Sequence, residues 1–89
     1  MRKIVLENGL ELEVNENNLN NMELVDALAE MEEDNTLAVS TAVKLALGAE
    51  NRKKLYNAVR TKDGNVPIEE VVKCFTEVLN KLGDNAKNS

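Results

Sequence analysis

The first part of the chain has two short apolar runs, residues 4–6, which are all apolar, and residues 10–14, in which every second residue is apolar. Such alternation predicts β-strands, and the loop between the runs, which ends in Gly9, predicts a hairpin. A three-residue loop gathers almost all the large apolar side chains on one face, whereas a two-residue turn would set glutamates opposite them. Because the apolar pattern fixes the register, we predict the pairs Leu6–Leu10, Ile4–Leu12 and Lys3–Glu13. The apolar face then consists of Ile4, Leu6, Leu10, Leu12 and Val14.

After a polar connector at residues 15–18, apolar residues recur three and four positions apart, which predicts α-helices. The first helix begins with a capping signature, Asn20 followed three residues later by Glu23. The second is apolar almost all round, as is typical of a central buried helix. The predicted helices run from Asn20 to about Glu33, over 37–47 after a cap at Asn35 or Thr36, over about 50–61, and from Pro67 to Gly83.

The apolar faces of these helices define the predicted core. That of the first helix consists of Leu24, Val25, Leu28, Ala29 and Met31, that of the third of Leu55, Tyr56 and Val59, and that of the fourth of Ile68, Val71, Val72, Phe75, Val78, Leu79 and Leu82. Together the elements predict one α+β domain that is mostly α. It comprises a β-hairpin over residues 1–15, a helical part over 20–83 and a flexible tail over 84–89.

Composition narrows the chemistry that the chain can perform. Of its 89 residues 43% are apolar but only 2% are aromatic, so the core is aliphatic and stacking on nucleic-acid bases is not favoured. The chain has no histidine and a single cysteine, Cys74, which leaves no internal disulfide, no zinc site and no cysteine–histidine nucleophile. We therefore expect a protein that is not an enzyme and uses no cofactor or metal. Cys74 is expected to be a small residue in or beside the core.

Charge divides the chain into two halves. Residues 1–50 hold eleven acids and three bases, a net charge of −8, whereas residues 51–89 hold five acids and eight bases, a net charge of +3. The overall charge of −5 disfavours binding to nucleic-acid phosphates. No apolar run approaches the roughly 20 residues of a membrane span, and none resembles a signal peptide. We therefore expect a cytosolic protein that binds neither nucleic acid nor membranes.

Two charged surfaces are candidate contacts for partners. The first predicted helix carries an acidic stripe at helical spacing, and the third carries cations that include Arg52 and Lys53. Opposite charges on two parts of one chain allow one copy to bind the next head to tail, although either surface can also simply face solvent. The acidic stripe consists of Glu23, Asp26, Glu30 and Glu33.

The apolar face of the hairpin is a third candidate contact. A two-stranded hairpin is marginal by itself, so its apolar face needs cover. Its two edges could also accept a strand from another chain. The alternative is that the first or the fourth helix of the same chain covers the face. Apolar residues of the fourth helix that the core does not use could form a groove for a partner helix.

The order of several segments resembles that in the tail assembly chaperones of long-tailed phages and prophages, particularly those of Gram-positive hosts. The similarity extends over about residues 3–82 and rests on pattern. The segments are Leu6-Glu7-Asn8-Gly9-Leu10, Met22-Glu23-Leu24-Val25-Asp26-Ala27-Leu28-Ala29, Lys44-Leu45-Ala46-Leu47-Gly48, Leu55-Tyr56-Asn57-Ala58-Val59-Arg60 and Asp63-Gly64-Asn65-Val66-Pro67.

This resemblance implies a non-enzymatic assembly factor of the host cytoplasm that is absent from the mature virion. Such chaperones coat the tape measure protein in many copies and recruit tail tube subunits while the tail grows. A longer form, made by ribosomal frameshifting, often carries the tube-binding extension, which we do not find here. The alternative class is a small acidic phage regulator or adaptor that binds a basic host protein through the acidic stripe.

Overall fold

The computed structural model describes the backbone of residues 1–87 and the side chains of residues 1–83. It has the predicted α+β, mostly α, order of elements, with one short 3₁₀ helix in addition. The elements are β1 (Arg2–Val5), β2 (Glu11–Val14), the 3₁₀ helix (Glu16–Leu19), α1 (Met22–Glu32), α2 (Leu37–Leu47), α3 (Ala49–Val59) and α4 (Ile68–Lys87). A flexible tail is predicted over residues 84–89. The backbone of residues 84–87 is instead the end of α4, whereas their side chains and residues 88–89 lie outside the described part of the chain.

The hairpin has the predicted register. Ile4 lies opposite Leu12 in the antiparallel pair, and the N–H of Leu6 donates to the Leu10 carbonyl at 2.9 Å. Gly9 has φ of +90°, so the three-residue loop ends in the left-handed region that glycine adopts without strain. Lys3 lies opposite Glu13 but pairs with Glu11 instead, at 3.2 Å. Both side chains of that ion pair are well exposed, so it contributes little to stability.

The start of α1 differs from its prediction by one residue. The cap is Asn21, whose side-chain oxygen accepts the N–H of Glu23 at 3.0 Å. The connector before it forms the 3₁₀ helix, capped by Asn15. The core row of α1 is also corrected, because Val25 and Ala29 are exposed, and the row that faces the core is Leu24, Ala27, Leu28 and Met31.

Helix α2 lies at the centre, in contact with α1, α3 and the 3₁₀ helix. Its N-cap residue is Thr36, whose side chain makes no capping hydrogen bond, and the side chain of Asn35, one residue earlier, accepts the N–H of Leu37 at 3.1 Å. A single residue, Gly48 with φ of +88°, joins α2 to α3 and allows the sharp change of direction. The buried residues of α2 are Ala38, Ala42, Val43, Ala46 and Leu47.

Helix α4 forms the other wall of the core. Its first residue is Ile68, so the prediction that the helix begins at Pro67 is wrong by one residue. The helix continues through Gly83 to Lys87, and the prediction that Gly83 ends it is wrong. Ile68 is 57% exposed and so lies outside the core that had been predicted to include it. The buried row of α4 is Val71, Cys74, Phe75, Val78 and Leu82.

Candidate functional site

The apolar face of the hairpin lies inside the core of the chain. Leu12 is 1% exposed and Val14 is fully buried, in one cluster with residues of all four α-helices. This corrects the expectation that the face contacts a partner, because its side chains are already covered by helices of the same chain. The face consists of Ile4, Leu6, Leu12 and Val14, which are buried, and Leu10, which is partly buried against them.

Side chains of α3 and α4 also occupy both edges of the hairpin. On the β2 side, the amide of Asn51 donates to the Glu13 carbonyl at 2.7 Å and to the Leu47 carbonyl at 2.9 Å. Asn51 is the buried polar residue that connects the hairpin to the α2–α3 corner. A strand docking on this edge would have to displace its amide, since the Glu13 carbonyl would otherwise be the acceptor.

On the β1 side the cover comes from α4. The ammonium of Lys81 donates to the Val5 carbonyl, and the carboxylate of Glu77 accepts the N–H of Glu7 at 2.9 Å. Lys81 and Glu77 also pair with each other at 3.3 Å, one helical turn apart. One backbone acceptor that a β-strand partner would use is therefore engaged on each edge, the Glu13 carbonyl on β2 and the Val5 carbonyl on β1.

A groove between α1 and α4 remains open. It has a volume of about 380 Å³. Its apolar lining side chains are only partly buried, because α1 and α4 do not pack closely against each other. On α4 these side chains are Val72 and Leu79, which lie on the helix face next to the buried row, so the core covers only one side of each. The groove is lined by Leu28, Met31, Glu32, Val72, Thr76, Leu79 and Asn80.

One end of α1 makes this groove electrically asymmetric. Glu32 is the one charged residue that lines the groove in the described part of the chain, and Glu33 and Asp34 follow it. The last turn of α1 holds no basic residue. The carbonyl end of a helix is itself partially negative, so these acids add to the dipole and are not offset by it. The groove therefore combines an apolar floor with one carboxylate, that of Glu32, on its α1 side, and two more acids follow it along the chain.

The acidic stripe borders a second, smaller groove between α1 and α2. Three of its four members line this groove together with small and apolar side chains, and the groove has a volume of about 270 Å³. Glu33 is exposed beyond its end. Glu23, Asp26 and Glu30 are all exposed, so the stripe is available to a partner or to solvent. The other lining residues are Ala27, Thr41 and Leu45.

The two candidate cations of α3, Arg52 and Lys53, differ in their environments. The guanidinium of Arg52 donates to the Ser40 hydroxyl at 3.3 Å and lies 6.0 Å from the centroid of the Tyr56 ring. Arg52 is partly buried, so much of its charge is used within the chain, whereas Lys53 is exposed. Both lie on α3, and α1 is on a different flank of the central helix α2. No ion pair joins the acidic stripe to either of these cations in the described part of the chain.

Cys74 is buried beneath the hairpin loop. Its sulfur lies 4.0 Å from the side-chain amide of Asn8. Burial raises the pKa of the Cys74 thiol, the carboxylates of Glu77 and Glu70 raise it further, and Lys73 acts in the opposite direction. A raised pKa keeps the thiol protonated at neutral pH, which makes it a poor nucleophile. Within the described residues no group of three or more potential metal ligands comes together.

No helix in the described part of the chain is long and apolar enough to cross a membrane. No family model, no curated protein and no solved structure matches the chain.

Sequence reasoning located some of these features and missed others. The sequence suggests a groove formed by the apolar residues of the fourth helix outside the core; Val72 and Leu79 line such a groove, whereas Ile68 does not. That Leu28 and Met31 line the same groove could not be predicted from the sequence, because this depends on the spacing between α1 and α4. Nothing local marked Asn51, whose partner at Glu13 is 38 positions away.

Proposed function

We propose that this chain is a non-enzymatic phage tail assembly chaperone that holds a helical segment of the tape measure protein. The single observation that carries this proposal is the open groove between α1 and α4. A tape measure protein is a long, helix-rich polymer, and an amphipathic helix binds by placing its apolar face in such a groove. The partly buried Leu28, Met31, Val72 and Leu79 supply the matching apolar floor.

The wider role follows the family that the segment order resembles. The chain works in the host cytoplasm, several copies coat the tape measure protein, and none stays in the mature virion. Contact with the tail tube protein belongs to a longer, frameshifted form. The buried hairpin face removes one route to self-association, so copies associate through surface groups such as the acidic stripe and Lys53.

Co-expression with fragments of a tape measure protein tests the proposal. We expect the chain to co-purify with at least one helical fragment, and Leu79→Ser in the groove to abolish this. Ile68→Ser is the matched control, because Ile68 is also an exposed apolar residue of α4 but does not line the groove. Failure to retain any fragment, together with a monomeric state at high concentration in sedimentation, contradicts the proposal.

The second candidate is an acidic regulator or adaptor of a basic host protein. It is favoured by the exposed stripe of Glu23, Asp26 and Glu30, beside which α1 offers no lysine or arginine. Replacing Asp26 by Asn and Glu30 by Gln separates the two functions. A regulator loses its partner in this double variant and keeps it in Leu79→Ser, whereas a groove-binding chaperone shows the reverse.

A further inference from the structure

We infer that the groove between α1 and α4 selects an amphipathic helix with lysine or arginine beside its apolar stripe, and that these cations lie over the carboxyl end of α1. This inference rests on the proposed function and specifies the chemistry of the partner segment. It joins three observations, namely the length of the apolar floor, the acids at the end of α1 with no basic residue among the described side chains that line the groove, and the burial of the apolar side chain Leu55 on the basic helix α3.

The apolar floor fits a short stretch of helix. Val72 and Leu79 are seven residues apart on α4, which is about 10 Å along the helix axis. Two turns of a partner helix cover this length, with apolar side chains at spacings of three, four and seven residues. On the α4 side the remaining lining residues, Thr76 and Asn80, are uncharged and offer hydrogen bonds only.

The charge of the groove comes from α1. From Met22 to Asp34 the chain has six acids and no lysine or arginine. Three of the acids, Glu32, Glu33 and Asp34, are consecutive at the end of the helix, where the carbonyl groups add negative potential. A partner with acids at this end would face several like charges, whereas one with cations gains attraction and faster association.

A second copy of the chain does not match this site. The basic helix of the chain is α3, and its apolar residue Leu55 is completely buried in its own core. The side of α3 that remains exposed presents Lys53 and Lys54 without an apolar stripe. Such a surface can approach the acids but cannot fill the groove, so α3 of a second copy is not the occupant, and the occupant that we infer is a helix of a different chain.

Two synthetic helical peptides test this inference directly. They share one leucine stripe with spacings of three, four and seven residues, and differ only in carrying Lys or Glu beside it. We expect the Lys peptide to bind the full chain about tenfold or more tightly than the Glu peptide at low salt, by calorimetry or fluorescence anisotropy. The preference should shrink when the ionic strength rises from about 0.01 M to 1 M, because the screening length falls from about 30 Å to 3 Å.

Variants of the chain separate the contribution of the acids at the end of α1 from that of the apolar floor of the groove. Glu32→Gln combined with Glu33→Gln should remove most of the preference while the leucine stripe still binds. Glu16→Gln, in the 3₁₀ helix and outside the groove, removes one negative charge and should leave the preference unchanged. Leu79→Ser should weaken both peptides. Thermal unfolding by circular dichroism checks that each variant is folded.

The possible outcomes distinguish this inference from the proposed function. Equal binding of the Lys and Glu peptides overturns the charge selection and leaves the helix-binding role in place. If the Lys peptide binds the Leu79→Ser variant as tightly as the original chain, the peptide is attracted to an acidic surface outside the groove. That outcome also overturns the inference. If neither peptide binds but a tape measure fragment co-purifies, the inference fails and the chaperone role stands.

Discussion

The hairpin face and the α1–α4 groove are both apolar surfaces built from periodic sequence, but the chain uses them in opposite ways. The hairpin face is covered by helices, and both of its edges are engaged by side chains from α3 and α4. The groove has a similar aliphatic lining and stays open, because α1 and α4 do not approach closely. An apolar pattern therefore identifies a surface that needs cover, and only the packing decides whether that cover is internal.

The largest effect on stability is expected from a charge placed in the apolar face of the hairpin. We expect Leu12→Glu to cost more than about 4 kcal/mol in the free energy of unfolding, because it buries a carboxylate without a partner. An ordinary small domain has only about 5–15 kcal/mol in total, so much of the helix signal in circular dichroism should be lost. Val5→Glu is the control, because Val5 is 46% exposed on the opposite face and should cost about 1 kcal/mol or less. A folded Leu12→Glu chain of normal stability would mean that the face is not core.

A smaller but still clear effect is expected at the β2 edge. Asn51→Ala leaves the partly buried Glu13 carbonyl and the buried Leu47 carbonyl without this donor and should cost about 1–3 kcal/mol in urea unfolding. Asn20→Ala provides the matched control, since Asn20 is exposed and no hydrogen bond from its side chain is seen. An equal cost for the two variants would show that the Asn51 amide does not hold the hairpin against α3.

Truncation in the groove should separate stability from binding. Leu79→Ala should cost about 1 kcal/mol, because this side chain is only partly buried, whereas Leu12→Ala should cost about 2–5 kcal/mol. The same Leu79→Ala variant should lose about tenfold or more in affinity for a bound helix. If Leu79→Ala destabilises the chain as much as Leu12→Ala, the groove belongs to the core and the comparison fails.

The smallest effect is expected at the β1 edge. Lys81→Met removes the donor to the Val5 carbonyl and the ion pair with Glu77, and should cost about 0.5–1 kcal/mol because both groups are partly exposed. Amide hydrogen exchange at Glu7 should become faster, as its acceptor Glu77 is then less constrained. Lys62→Met, in the turn before α4, serves as a control for the loss of one charge. Unchanged exchange at Glu7 would mean that the pair does not hold this edge.

Local parts of the fold could be predicted from sequence because their causes are local. The hairpin register follows from alternation and from Gly9, and both lie within a few residues of the strands they fix. The start of α1 was misplaced by one residue because Asn20 and Asn21 are adjacent and have the same capping chemistry. The core row of α1 was misread since Val25 and Ala27 are both apolar, and packing against α2 selects between them.

Contacts between distant parts of the chain could not be predicted in the same way. Asn51 meets Glu13 across 38 positions, and Glu77 meets Glu7 across 70. Neither residue differs in local pattern from the exposed polar residues around it. The groove was predictable only in part, because Val72 and Leu79 stand outside the core row of α4 but their neighbours on α1 are set by tertiary packing.

The contacts between Glu7 and Glu77 and between Val5 and Lys81 have a consequence for synthesis. They join the hairpin to a helix that is synthesised 70 or more residues later. Until α4 has emerged, the nascent hairpin has an unprotected β1 edge, which is the kind of strand that recruits other unfolded chains. Truncation before α4 should therefore yield an aggregation-prone polypeptide, and the β1 edge should become protected only after α4 has been synthesised.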